Sequence, residues 1–163
     1  MTDRVFISLT GGGLARACRS ESGAFEVETV LASAGVRCLA TDPSNKQRVY
    51  AGTQCLGVLR SDDQGKTWRG SAEGGGAPGA PVGPAGLPVT AIAASPSQRD
   101  LIYAGTKPAR LFVSTDAGAR WQEILAFRRI PGRWLWLSPA EKPFVAMVQA
   151  IALSPTDPQR IVV

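Results

Sequence analysis

Val36–Trp68 reads VRCLATDPSNKQRVYAGTQCLGVLRSDDQGKTW, and Val89–Trp121 reads VTAIAASPSQRDLIYAGTKPARLFVSTDAGARW. The two segments align without a gap at an offset of 53 residues. Tyr50-Ala51-Gly52-Thr53 falls on Tyr103-Ala104-Gly105-Thr106, and Asp63 and Gly65 fall on Asp116 and Gly118. A third copy starts at Val148-Gln149-Ala150-Ile151-Ala152-Leu153-Ser154-Pro155 and runs to Val163. A degenerate copy comes first. In it Val5-Phe6-Ile7-Ser8 takes the place of Val49-Tyr50-Ala51-Gly52, Leu14–Cys18 matches the run before the second turn, Glu21-Ser22-Gly23 replaces Asp-x-Gly, and Phe25 stands for the Trp. Self-similarity at a fixed period marks a repeat architecture, in which each unit buries its apolar face only against its neighbours.

Each full copy holds four strand-sized pieces. In the second full copy these are Val89–Ala94, Leu101–Thr106, Leu111–Ser114 and Trp121–Leu125. The first piece is small and apolar along its whole length, as a strand covered on both faces reads. Ser-Pro or Asp-Pro follows it, and Pro presets a turn and blocks further ladder pairing. This pattern predicts an all-β fold, a β-propeller of four-stranded antiparallel blades. The blades are a partial one over 4–33, full ones over 36–72 and 89–126, and the start of a fourth over 148–163. Three and a half blades fall short of the roughly four to eight that close a propeller. The expectation is therefore an incomplete propeller, the N-terminal half of a longer chain whose remaining blades complete it.

Composition narrows the function classes. The chain of 163 residues has no histidine, which removes Ser-His and Cys-His nucleophile activation, His zinc ligation and a His proton shuttle. The cysteines are Cys18, Cys38 and Cys55, an odd number at wide spacing, so the expectation is reduced core thiols rather than a disulfide framework or a metal knuckle. The net charge of +5 comes mostly from scattered arginines, not a basic run, which argues against nucleic acid as partner. No stretch reads as a membrane span and the N-terminus has no signal-peptide apolar core, so the sequence reads as cytoplasmic. Nothing in it calls for a cofactor or a metal.

Two short patterns sit in phase within the repeat. Ser61-Asp62-Asp63-Gln64-Gly65-Lys66-Thr67-Trp68 follows Ser-x-Asp-x-Gly-x-Thr-Trp, and Ser114-Thr115-Asp116-Ala117-Gly118-Ala119-Arg120-Trp121 follows it with Arg120 in place of Thr. The chain thereby resembles the Asp-box, or bacterial neuraminidase repeat, propellers: sialidases, sortilin-type receptors and photosystem II assembly propellers. Each box falls in a hairpin between third and fourth strands. There Asp63 or Asp116 can accept turn N–H groups, Gly65 or Gly118 can take positive φ, and Trp68 or Trp121 can fill space between sheets. Ser61 and Ser114 complete the boxes. The resemblance implies that these aspartates are structural and lie on the face away from a ligand site.

The remaining candidates lie in the connections. Residues 73–88 are Gly/Pro-rich and read as a flexible linker. Residues 127–147 form an insertion that makes this repeat six residues longer than the one before. It is dense in arginine and aromatic side chains, including Phe127, Arg128, Arg129, Arg133, Trp134, Trp136, Glu141 and Lys142. Such a mixture can grip an anionic or sugar-like ligand by charge-assisted hydrogen bonds and stacking. It can also simply fold back on the propeller. In an antiparallel blade the second-to-third and fourth-to-first connections leave from the same end, so Lys107 and Arg110 belong with Arg128, Arg129, Arg133, Trp134 and Trp136 as candidate ligand contacts.

No catalytic residue can be identified. Glycosidases ordinarily need two carboxylates across a cleft, and Glu123 and Glu141 have no evident partner. The sequence favours a non-catalytic propeller that presents a loop face to a protein or glycan. The alternative is a sialidase-like glycoside hydrolase whose catalytic residues lie partly beyond this segment.

Overall fold

The computed structural model describes residues 4–20, 22–70, 83–137, 144–158 and 160–163, the side chain of Trp134 excepted. Among them four antiparallel sheets follow one another along the chain. The first holds β1 (Arg4–Ser8), β2 (Leu14–Arg19) and β3 (Phe25–Leu31). The second holds β4 (Val36–Asp42), β5 (Asn45–Thr53), β6 (Val58–Ser61) and β7 (Arg69–Gly70). The third repeats that pattern with β8 (Val89–Ala94), β9 (Ile102–Thr106), β10 (Leu111–Ser114) and β11 (Gln122–Glu123). The fourth pairs β12 (Ala152–Leu153) with β13 (Ile161–Val162). In the two four-stranded sheets the spatial order equals the chain order, as in a meander. Strand β4 lies beside β8, and β8 beside β12, so successive sheets stack through their first strands as propeller blades do.

Three apolar seams hold the sheets together. Between the first and second sheets lie Leu14, Val36, Ala51 and Leu59, flanked by Phe6, Val30, Leu39 and Trp68. Between the second and third lie Tyr50, Val58, Val89, Ile102, Phe112 and Trp121. Ala91, Ala109 and Val148 form a smaller seam with the fourth. The glycine of the Tyr-Ala-Gly-Thr run is fixed by this stacking. A Cβ on Gly52 would stand 2.4 Å from Cys38 Sγ and 2.7 Å from Val89 Cγ1, and one on Gly105 would stand 2.3 Å from Val148 Cγ1. At Gly52 the space is taken by the first strand of its own sheet and by Val89 of the next, and at Gly105 by Val148, just before the fourth sheet. Ser8, at the matching position of the first sheet, brings its Oγ to 3.5 Å from the Val36 carbonyl.

The structure departs from the sequence reading at several points. Phe25 does not play the part of the box tryptophan. It starts β3 and is exposed, because a short turn with Ser20 N–H bonded to the Ala24 carbonyl replaces the box and no sheet precedes it among the described residues. The first strands are not covered on both faces throughout: Arg37 and Thr41 of β4 are exposed. The fourth strand of the third sheet is only two residues long, as β7 is, and a helical turn, α1 (Leu125–Arg128), follows it, then a 3₁₀ turn at Arg133–Leu135. The 73–88 linker is folded at its described end, where Pro84 is fully buried, Gly86 N–H bonds to the Cys55 carbonyl and Lys107 N–H bonds to the Pro88 carbonyl. Residues 71–82 lie outside the described residues. All three cysteines are free thiols, but Cys55 is exposed in the turn between β5 and β6 instead of buried. Cys38 is the one set into a seam, where burial pushes its thiol up to about 11.

Candidate functional site

The two Ser-x-Asp-x-Gly turns are closed hydrogen-bond systems. Ser61 Oγ donates to Asp63 Oδ1 at 2.8 Å and accepts from Gly65 N–H at 2.7 Å. Asp63 Oδ1 accepts from the Lys66 and Thr67 amides at 3.0 and 2.8 Å, and Oδ2 accepts from the Thr67 hydroxyl at 2.6 Å. The bonds from the Thr67 hydroxyl and amide hold the Asp63 carboxyl well below the usual range. In the second turn Ser114 makes the same bonds to Asp116 and Gly118. Burial pushes the Asp116 carboxyl up, but the Arg120 amide and guanidinium outweigh it and the net direction is down. Arg120 Nε, 3.0 Å from Asp116 Oδ2, thus does the work of the Thr67 hydroxyl. Gly65 and Gly118 both have φ of 83°, which L side chains avoid. Each indole N–H bonds to its glycine carbonyl at 3.1 Å. Trp121 is buried and Trp68 half-buried.

At the same end of the sheets three further aspartates, Asp42, Asp62 and Asp100, are tied to arginine. Arg48 reaches Asp42 at 3.1 Å, Asp62 at 2.9 Å and Asp100 at 2.5 Å, which joins the second sheet to the third. Burial works against the charge on Arg48, yet the bonds from Asp62 and Asp100 raise its pKa overall. Arg60 pairs with Asp62 at 2.7 Å and donates to the Ala117 carbonyl. Each of these carboxylates has a local partner and a local task. A shallow depression of about 240 Å³ beside Asp116, Arg120 and Trp121 is smaller than the roughly 300–1,000 Å³ of ordinary ligand pockets.

The opposite end carries the arginine-rich connection. Ala109 N–H bonds to the Ala146 carbonyl at 2.7 Å and Val148 N–H to the Thr106 carbonyl at 3.2 Å, so the Lys107–Arg110 turn and the end of the insertion run together. Phe127 packs on the seam formed by Ala91, Ala109 and Val148, which anchors α1. The Trp136 ring meets the Phe127 ring edge-on at 5.9 Å. The Arg133 guanidinium carbon lies 5.2 Å from the Phe127 centroid and 5.9 Å from that of Trp136. Glu123, 5% exposed at its side chain, sits beneath, with Arg128 Nε at 3.7 Å from Oε1. Burial lowers the pKa of Arg133, and so do the neighbouring charges of Arg128 and Arg110, against the pull of Glu123.

Of the residues singled out from the sequence, the structure brings Arg110, Arg128, Arg133 and Trp136 together. Arg129 is exposed and only its amide is engaged, with the Ala126 carbonyl. Lys107 joins the same end through the Pro88 bond. The side chain of Trp134, and Glu141 and Lys142, lie outside the described residues. Sequence reasoning missed Glu123 as the hub, while the expectation that the insertion can fold back on the propeller is met at Phe127. A signal for Glu123 was present: it falls on Gly70 in the preceding repeat, so a carboxylate appears where the other copy has no side chain at all. Among the described residues no group of three or more His, Cys, Asp or Glu is arranged to hold a metal, and no helix is long and apolar enough to cross a membrane.

Antiparallel sheets stacked through their first strands define a propeller-type fold, and comparison with solved structures agrees. A GH74 enzyme of Niastella koreensis superimposes with a TM-score of 0.53 at 22% identity, over 88% of this chain and 21% of that one. An ancestral GH74 enzyme gives a TM-score of 0.53 at 16% identity, over 74% of this chain and 16% of its own. In sequence the chain is 30% identical over 116 residues to a xyloglucanase of Acetivibrio thermocellus, which covers 63% of this chain and 13% of that protein. It is 31% identical over 115 residues to a xyloglucanase of a Paenibacillus species, over 62% of this chain and 10% of the relative. The chain therefore spans about an eighth or less of the length of these relatives. No family model matches it. These relatives are xyloglucanases and not sialidases, so the propeller reading stands while the narrower sialidase-like assignment finds no support.

Proposed function

We propose that this chain is a propeller segment of a polysaccharide-hydrolysing enzyme of the xyloglucanase kind, and that the end carrying Phe127, Arg133 and Trp136 lies along the glycan. The observation that carries this reading is the 30% identity to a xyloglucanase across 116 residues. The geometry is compatible with it. Trp136 is 39% exposed and held by Phe127 and Arg133, so it offers a pre-set aromatic platform of the kind that lines ligand sites. Within such an enzyme this segment would position substrate. Asp42, Asp62, Asp63, Asp100 and Asp116 are all engaged in hydrogen bonds or ion pairs, which favours a second reading for the segment taken alone: a glycan-binding scaffold without chemistry.

The test is calorimetric titration of the folded chain with xyloglucan oligosaccharides, alongside an assay for reducing ends released from xyloglucan. Saturable binding that weakens about fivefold or more in Trp136→Ala is expected, since loss of one stacking platform removes upwards of ~1 kcal/mol. Binding without reducing-end release would leave the scaffold reading for this segment. A folded chain that binds no xyloglucan oligosaccharide would overturn the proposal.

A further inference from the structure

Arg133 has Arg110, Arg128 and one carboxylate, Glu123, as its charged neighbours, and Glu123 lies beside Arg128. Among the described residues these charges do not balance. Glu123 stands 3.7 Å from Arg128, too far for a hydrogen bond, and its buried Oε1 accepts none. Among the described residues neither Arg110 nor Arg133 forms a salt bridge. The Arg133 guanidinium carbon stands 5.2 Å from the Phe127 centroid and 5.9 Å from that of Trp136, and among the described residues its N–H groups have no hydrogen-bond acceptor. Like charges held this near one another repel, and an anion bound among them offsets that repulsion. The packing of Phe127 holds the cluster in place without any ligand.

We infer that this end of the propeller takes a carboxylate-bearing sugar, a uronic acid unit carried on or within the polysaccharide, instead of a wholly neutral glycan. The inference rests on the reading of this face as glycan-contacting. A uronate supplies what the cluster lacks. Its carboxylate is planar and matches the guanidinium fork with two parallel N–H···O bonds, while its pyranose ring can lie on Trp136 beside that fork. A neutral sugar could use the platform but would leave two positive charges uncompensated in a half-buried site.

The experiment compares two ligands of equal length, a neutral xyloglucan oligosaccharide and an oligosaccharide bearing one glucuronic acid unit, titrated into the folded chain at about 20 mM and about 200 mM salt. Across that range the Debye length shortens roughly threefold. The acidic ligand should bind at least about tenfold more tightly at low salt, as a charge-assisted pair warrants, and the advantage should shrink at high salt. Arg110→Gln and Arg133→Gln should each abolish the preference. Arg110 stacks on no ring among the described residues, so its variant tests the charge without disturbing the pair of Phe127 and Trp136. Lys46→Gln, which removes one positive charge at the other end of the sheets, should leave it intact. Equal, salt-independent affinity for both ligands would overturn the inference while leaving the glycan reading in place. So would a preference that survives Arg110→Gln. Binding of neither ligand would overturn both.

Discussion

The box turns show how one residue type commits a segment. Ser114 is fully buried and its hydroxyl answers both the Gly118 amide and the Asp116 carboxylate. Ser114→Ala should destabilise the chain by about 1–3 kcal/mol, because the Gly118 amide is then buried without an acceptor; denaturant unfolding measures it. The carboxylates also set a pH response. Asp63 and Asp116 have folded pKa values below the unfolded value of about 3.9, so their contribution is fully present above it and is lost as pH falls through the folded values. The melting temperature should fall steeply from about pH 4 downward. A variant carrying Asp63→Asn and Asp116→Asn should be less stable at neutral pH and flatter in acid, and an unchanged acid slope would mean that other carboxylates govern it. At this scale the sequence was informative where a residue acts within its own turn, as Ser61, Asp63 and Gly65 do. It was uninformative for Phe25, whose exposure depends on what packs against β3 and not on its own turn.

Among elements, the decisive contacts are those between the second strand of one sheet and the first strand of the next. Gly105 lies under Val148, and a Cβ there would overlap the Val148 side chain. Gly105→Ala should cost about 1–3 kcal/mol by overpacking, and Val148→Ala should recover part of that loss in the double variant. Additive losses would show that the two residues are not in contact. The 53-residue offset made the phase of these strands legible, and with it the two four-stranded sheets. The helical turn at Leu125–Arg128 was not legible, because its anchor is Phe127 on a seam built from Ala91, Ala109 and Val148, three residues spread over 58 positions of chain. Local pattern carries no record of such a docking site.

For the whole molecule, the first sheet turns one face outward. Val5 and Val27 flank Ala17 in register, and all three share that face with Ile7 and Phe25. Val5, Ile7, Phe25 and Val27 are 47%, 43%, 51% and 64% exposed, and β1 has no partner along its other edge among the described residues. An apolar sheet face beside an open strand edge invites association. The chain on its own should self-associate with rising concentration in light scattering, and Phe25→Ser with Val27→Thr should reduce this without lowering the melting temperature. A monomer at all concentrations would mean that the edge residues suffice to protect it.

The crossing of Trp68 toward Phe6, and of Trp121 toward Tyr50, has a consequence for how the molecule comes apart. Each turn is built by one sheet but its indole is seated on the sheet before it, while each glycine waits for the valine of the sheet after it. The cooperative unit is therefore not the blade but the boundary, half of one sheet and half of the next. Slowly exchanging amides should cluster on β5, β8 and β9, where the central boundary runs, and a fragment cut at the blade limits should keep less protection than one of equal length cut through the middle of two blades.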